Sequence, residues 1–362
     1  MTQVNRENIE ALLRGVPDPC TGTDLVSSGF VRGIGVDGDR VTVDVRVGYP
    51  GDGVQADLEA AIREALSADA GIATVAVEFS WKVVPHKVQG DLKTLDGIRN
   101  VLAVASGKGG VGKSSTAVNL ALALAREGAS VGILDADIYG PSIPRMLGVS
   151  GQPDTDGKQI APKQAHGLQV MSIGFLVPED TPMIWRGPMV TSALQQLLSE
   201  TRWHDLDYLV IDLPPGTGDI QLTLAQRIPV AGAVIVTTPQ DIALLDARKA
   251  LQMFRKVDVP VLGVVENMST HICSQCGHEE PIFGSGGGAA MAQDYDIPLL
   301  GQLPLAIEIR ESLDRGRPSV VSAPDSPIAE AYLQFARRVA GCLAQQPRSL
   351  ATGLPPIVVQ NA

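Results

Sequence analysis

Residues 101–125 read VLAVASGKGGVGKSSTAVNLALALA. A short apolar run suited to a buried strand leads into a glycine-rich turn, and a helical pattern follows. Gly107 and Gly112-Lys113-Ser114 have the spacing of a phosphate-binding loop, in the strand–turn–helix context that this motif needs. Gly109, Gly110 and Gly112 let successive backbone N–H groups face phosphate oxygens. The helix starting near Lys113 adds its positive dipole end. The Lys113 ammonium can reach the β- and γ-phosphates, and the Ser114 hydroxyl can ligate Mg²⁺. The alternative, a glycine turn without a ligand, leaves the coincidence of strand, motif and helix unexplained.

The pattern continues outward from this stretch. VLAVAS, SVGILDAD, LQVMSIG, DYLVIDLP, AGAVIVTTP, PVLGVVEN and PLLGQLP read as strands covered on both faces. Helical patterns over residues 113–127, 219–227 and 241–256 lie between several of them. The expected fold class is α/β, a doubly wound, mostly parallel sheet. Towards the N-terminus the texture differs. Residues 5–14 and 56–66 read as helices, and FVRGIGVDGDRVTVDVRVGYPG alternates around Asp37-Gly38 as a hairpin does. We therefore expect a small α+β domain over 1–85, a linker over 86–100, the P-loop domain over 101–346 and a loose tail over 347–362.

Composition narrows the function classes. The 362 residues include 44% hydrophobic and 19% charged residues, as in a globular protein of two domains. A net charge of −11 and 4% aromatic content argue against non-specific nucleic-acid binding and base stacking. The opening MTQVNRENIEALLRG has no apolar core, and no apolar run reaches membrane-spanning length. Four cysteines do not make a disulfide framework in a chain this long. A reducing cytoplasm and no membrane contact are the expectation.

Carboxylates follow at strand ends, where such folds place ligand-handling groups. Asp212 closes the apolar run YLVID and has the Walker B form that holds a Mg²⁺ shell. Asp137, in GILDADIYGPS, lies beyond its strand, free to position a water. Asp135 and Asp219 read equally well as caps or turn formers. Asn267 follows a strand, where asparagine is commonly a turn residue.

HICSQCGHEE, residues 271–280, holds Cys273 and Cys276. Two thiolates fill half of a tetrahedral site, and no second Cys-x-x-Cys exists in the chain. A redox pair would begin a helix, and none is patterned there. Zinc bound within one chain, with His271 and His278, would need unusually short ligand spacings. A site shared by two copies on a two-fold axis supplies four thiolates, suited to an iron–sulfur cluster or to zinc.

The loop sequence KGGVGKS resembles that of the deviant Walker A ATPases. That resemblance implies that Lys108 reaches a partner's nucleotide across a dimer interface, that Asp137 is the base, and that Asn267 bonds the adenine edge. More specifically, SGKGGVGKSS, DADIYGPSIPRMLG, WRGPMV, DYLVIDLPPGTGD, VTTPQDIALLDARKA and ENMS, then Cys-x-x-Cys and IFGSGGG, resemble the Mrp/ApbC family in that order. VPDPCTGTDLVSSGFV looks like the MIP-type iron–sulfur assembly domain often fused to it. The family often has proline between its cysteines, where Ser274 and Gln275 stand here. The resemblance implies an ATP hydrolase and iron–sulfur cluster carrier, with ATP and Mg²⁺ on Gly107, Lys108, Gly109, Gly110, Val111, Gly112, Lys113, Ser114, Ser115, Asp212 and Asn267. It further implies a 4Fe-4S cluster on Cys273 and Cys276 of a homodimer, with scaffold and recipient apoproteins as partners. Cys20 reads either as an acceptor thiol or as a small turn residue, and Cys342 as core. Two alternatives stay open: a positioning or partition ATPase, although the tail offers neither an amphipathic nor a basic surface, and a regulatory ATPase with structural zinc.

Overall fold

The computed structural model describes residues 5–67, 71–176 and 187–349. At the N-terminus, strands β1 (Val31–Asp37), β2 (Arg40–Val47) and β3 (Thr74–Trp81) form one sheet in that order. β1 and β2 pair antiparallel with Asp37 opposite Arg40, so the turn is Gly38-Asp39. β2 runs parallel to β3, which requires a crossover; helix Gln55–Ser67 supplies it. Val41, Val43, Val45 and Val47 alternate inward, as the pattern requires, and meet Leu58, Ile62 and Leu66 of that helix. Helix Arg6–Leu13 is capped by the Asn5 side chain, which accepts the Asn8 N–H at 2.8 Å, and it buries Ile9 and Leu13.

The large sheet contains β4 (Ile98–Ala105), β5 (Val131–Asp135), β6 (Lys163–Ala165), β7 (Leu168–Ser172), β8 (Leu206–Asp212), β9 (Gly232–Thr237), β10 (Val261–Ile272), β11 (Glu279–Glu280) and β12 (Leu299–Leu305). The order is β11-β10-β9-β4-β8-β5-β7-β6, with β12 also on β10. All pairings are parallel except β10 with β11 and β6 with β7. Every residue of β5 and β9 is buried, because helices cover both faces. Helices Lys113–Arg126 and Pro327–Ala344 pack together on one face; Gly187–Glu200, Asp219–Arg227 and Asp241–Lys256 follow one another on the other. This is the doubly wound α/β architecture, with a small α+β unit attached. The P-loop strand β4 sits centrally, so the carboxyl ends of β4, β5 and β8 converge on one crest.

β4 starts at Ile98, ahead of the apolar run. The polar residues before it lie against the large lobe. Gln89 donates to the carbonyls of Ala225 (2.7 Å) and Ile228 (2.6 Å) and accepts the Val230 N–H at 3.0 Å. His86 is buried, and its backbone N–H donates to Asn100 Oδ1 at 3.0 Å. The backbone N–H groups of Lys87 and Ser349 donate to the carbonyls of Pro347 and Pro85. Residues 350–362, the remainder of the expected tail, lie outside the described residues. A charged clasp joins the two lobes. Glu127, just past the P-loop helix, accepts from Arg337 at 2.8 Å and from the Gly53 N–H at 3.1 Å. Arg337 in turn donates to the Gly53 carbonyl at 3.1 Å.

Candidate functional site

The loop from Ser106 to Gly112 leaves the carboxyl end of β4 and enters helix Lys113–Arg126. Gly110 (φ 81°) and Gly112 (φ 78°) take left-handed backbone that only glycine adopts freely. Gly109 and Gly110 are exposed and Gly107 is half-buried, so the concave backbone faces solvent. Val111 is buried under the loop. Lys108 is half-buried; its carbonyl accepts from the Ser106 hydroxyl at 2.8 Å, and its ammonium makes no ion pair among the described residues.

Lys113 is held by carboxylates. Its Nζ donates to Asp212 Oδ1 at 2.6 Å and lies 3.8 Å from Asp137 Oδ2. The Ser114 hydroxyl donates to Asp212 Oδ2 at 2.5 Å. The sequence distributes these groups over three elements: the P-loop helix, the end of β8 and the turn after β5. The parallel register sets Asp135 directly opposite Asp212. Burial raises the Asp212 carboxyl, and Lys113 opposes that shift. Burial also raises Asp137, again offset by Lys113, with Asp212 adding repulsion.

Asp135, for which the sequence allows either function or capping, has a definite position. It is fully buried, and burial followed by the charge of Asp212 pushes it up to about 7. Its Oδ1 accepts the Asp137 N–H at 3.2 Å; its Oδ2 accepts the Ile143 N–H at 3.2 Å and the Ser172 hydroxyl at 3.0 Å. Asp135 thus pins both ends of the ADIYGPS turn. Asp219 sits in the first turn of its helix, where a carboxylate favours the helix dipole.

Beside Gly112 and Ser115 lies a cavity of about 280 Å³. Its walls include Met146, Asn267, Met268, Leu305 and Ile309, an apolar slot of the kind a flat base requires. Asn267 is buried and donates to the Val111 carbonyl at 2.9 Å, which ties this wall to the phosphate loop. No local pattern signals that bond.

β10 runs on past Asn267 to Ile272 and pairs with β11, His271 opposite Glu280. Cys273-Ser274-Gln275-Cys276 lies in the turn of this hairpin. The Cys273 N–H donates to the His278 carbonyl at 2.9 Å, and the Gly277 N–H donates to the Cys273 carbonyl at 2.8 Å. Cys276 is exposed and both thiols are free. Backbone N–H groups of Gln275 and then Cys276 hold the Cys273 thiol below its ordinary value, which favours a thiolate. No helix begins at the pair, so it lacks the thioredoxin-type setting. His271 Nδ1 lies 3.3 Å from the Leu305 carbonyl. Among the described residues no three His, Cys, Asp or Glu side chains form a metal-holding group. Among the described residues, one chain therefore presents two thiols at this turn and no complete site.

Cys20 is 2% exposed. It lies beside Tyr49, whose hydroxyl donates to Asp18, and burial followed by the Asp18 charge pushes the thiol far up. This is the packed small residue rather than an open acceptor. Cys342 is half-buried on helix Pro327–Ala344, as a core-facing residue would be. Of the WRGPMV motif, Trp185 and Arg186 lie outside the described residues. Glu266 and Ser172 escape sequence reasoning; a lone acid or serine in an apolar strand carries no pattern.

Comparison with known proteins shows the family of the chain. Residues 97–340 match the family model described as ParA, NUBPL iron-transfer P-loop NTPase, and residues 6–79 match one described as iron-sulfur cluster assembly protein. The chain is 50% identical to the iron-sulfur cluster carrier protein of Haemophilus influenzae, over 94% of this chain and 92% of that protein. Identity to the carrier protein of Salmonella typhimurium is 60%, over 79% of each. Among solved structures, a nucleotide-binding protein in complex with ADP from Archaeoglobus fulgidus is 37% identical with a TM-score of 0.58, covering 66% of this chain and 93% of that one. The chain belongs to the NUBPL-type iron-transfer P-loop NTPase family.

Proposed function

We propose that the protein is an ATP-hydrolysing iron–sulfur cluster carrier in which two copies hold one 4Fe-4S cluster and deliver it to apoproteins. One observation carries the reading: an exposed two-thiol turn stands on the same strand that walls the cavity beside the phosphate loop. The strand runs from Asn267 to Ile272, next to Cys273, without leaving the sheet system, so the two sites share a rigid element.

In the nucleotide site, the N–H groups of residues 109–115 would cradle the phosphates and Lys113 would exchange Asp212 for phosphate oxygens. The residues fit Mg²⁺: the Ser114 hydroxyl and the buried Asp212 carboxylate face each other at 2.5 Å, a hard oxygen pair. When bound, the ion would neutralise phosphate charge. Asp137, 3.8 Å from Lys113, would orient the attacking water. Lys108, whose ammonium has no ion pair among the described residues, would reach the nucleotide of a second copy.

At the other site, two Cys273/Cys276 turns facing across a two-fold axis would supply four thiolates, the ligand set for a cubane cluster. The cluster is the cargo, and its recipients are apoproteins that lack one. The small N-terminal unit, matched over residues 6–79, would serve the same assembly task in the cytoplasm. Among the described residues no helix is long and apolar enough to cross a membrane.

Cluster transfer tests this directly. Anaerobically reconstituted protein should activate an apo iron–sulfur enzyme, and C276A should not. Equal activation by C276A would refute the proposed cargo site.

A further inference from the structure

The cysteine hairpin continues β10 beyond Glu266-Asn267 to Ile272, and the chain returns from it at helix Gly287–Tyr295. Both of its roots are fastened to that same dipeptide. Glu266 is fully buried; its Oε2 accepts the Gly288 N–H at 2.5 Å and its Oε1 accepts the Gln302 side-chain amide at 2.8 Å. The approach is close, since a Cβ on residue 288 would stand 2.9 Å from the Glu266 Cβ. Asn267 meanwhile grips the phosphate loop through the Val111 carbonyl at 2.9 Å.

The next residue adds a third link. Met268 has φ 57°, an uncommon conformation for a residue with a side chain, and it lines the cavity beside Gly112 and Ser115. The β10–β12 register slips between Asn267 and His271, at the start of the hairpin. A backbone in this region persists only where its surroundings over-determine it. Burying a carboxylate against two neutral donors is also a costly way to join a strand to a helix. An apolar pair would pack as well, but it would not lock the helix start to the residue preceding Asn267.

We propose that Glu266 is a positioning residue that couples the nucleotide site to the cysteine hairpin, by tying the far root of the hairpin to the strand residue that adjoins Asn267. The inference rests on the carrier reading above and specifies its regulation. A ligand that shifts the Val111 carbonyl or the Met268 side chain moves Asn267. Glu266, its neighbour in the chain, carries that movement to Gly288, so both roots move together and the turn bearing Cys273 and Cys276 is re-aimed as one body. Coupling of this kind is reciprocal: the cluster changes nucleotide affinity by the factor by which nucleotide changes cluster affinity.

The test uses the full chain, reconstituted with iron and sulfide without oxygen. Iron extraction by a chelator is timed with and without Mg-ATP for wild type and for Glu266→Gln, which keeps the size but not the paired acceptors. In wild type the two rates should differ by about five-fold or more. In Glu266→Gln the ratio should approach one, while iron content and ATP hydrolysis stay at wild-type levels. An unchanged ratio in the variant overturns the proposal. So does a wild-type cluster whose release ignores nucleotide, a result that would leave the carrier reading standing. Wild-type protein that binds no iron refutes the carrier reading itself. Should Glu266→Gln fail to fold, amide exchange in wild type decides: the Gly288 N–H and the 269–285 hairpin must change protection together on adding Mg-ATP, and independent behaviour refutes the coupling.

Discussion

Replacing Asp135 by asparagine should change how stability depends on pH. The Asp135 carboxyl is pushed up to about 7 by burial and by Asp212, from an ordinary 3.8. Between those values the folded protein keeps a proton that the unfolded chain has released. Stability from this group is therefore complete below about pH 4 and is lost as pH rises to about 7. The slope is about 1.4 kcal/mol per pH unit and flattens as the folded group begins to ionise, so wild type should lose about 2 kcal/mol from this source between pH 5 and 7. The asparagine of the D135N variant cannot titrate. It forfeits one of the acceptors that Asp137, Ile143 and Ser172 use, a cost of about 1 kcal/mol that is independent of pH. The difference between variant and wild type should thus swing by about 2 kcal/mol in favour of D135N from pH 5 to 7. In thermal scans of nucleotide-free protein this is roughly 3–5 °C, because the unfolding entropy grows with chain length. Parallel melting-temperature curves for the two proteins would refute this reasoning. They would show that Asp135 is ionised when folded, and that the ADIYGPS turn is held by a carboxylate rather than a carboxylic acid.

Other consequences follow from the same contacts. K113A should lower ATP turnover by about a hundred-fold or more while leaving iron binding intact, as measured by phosphate release and iron assay. G107A should destabilise by about 2 kcal/mol or more, because its Cβ would collide with the backbone carbonyl of Asp246; chemical denaturation reads this out. E127A leaves Arg337, whose side chain is 19% exposed, with only its 3.6 Å pair to Glu330 and should cost ~2 kcal/mol by thermal unfolding. Iodoacetamide should label Cys276 in native protein and reach Cys20 only on unfolding, an order that peptide mass spectrometry resolves.

The parts legible in the sequence are local or strongly periodic. The P-loop is a contiguous motif whose spacing dictates its shape, and β5 and β9 are unbroken apolar runs that only a doubly covered sheet explains. The valine-rich β2 of the small lobe announces itself by alternation. What stays hidden depends on distant partners. Gln89 reads as part of a polar linker, yet its amide meets backbone groups near residues 225–230 that composition cannot reveal. Glu266 reads as a stray acid in an apolar strand; its partner, the Gly288 N–H, stands at the start of a helix beyond the hairpin. β11 is two residues long and has no period to read. Asn267 carries a turn residue's signature, whereas its amide is engaged with the phosphate loop.

The central claim is that the two thiols of one chain are half of a site completed by another copy. Iron, acid-labile sulfide and zinc per chain, measured on anaerobically purified protein together with its mass in solution, test it most directly. A shared site should give about four iron and four sulfide per two chains, in a species of about twice the chain mass, because a cubane cluster takes four thiolates. Iron and sulfide should be lost together in C273A and C276A. Equal iron in those variants, a full cluster on a single chain, or zinc in its place would contradict it.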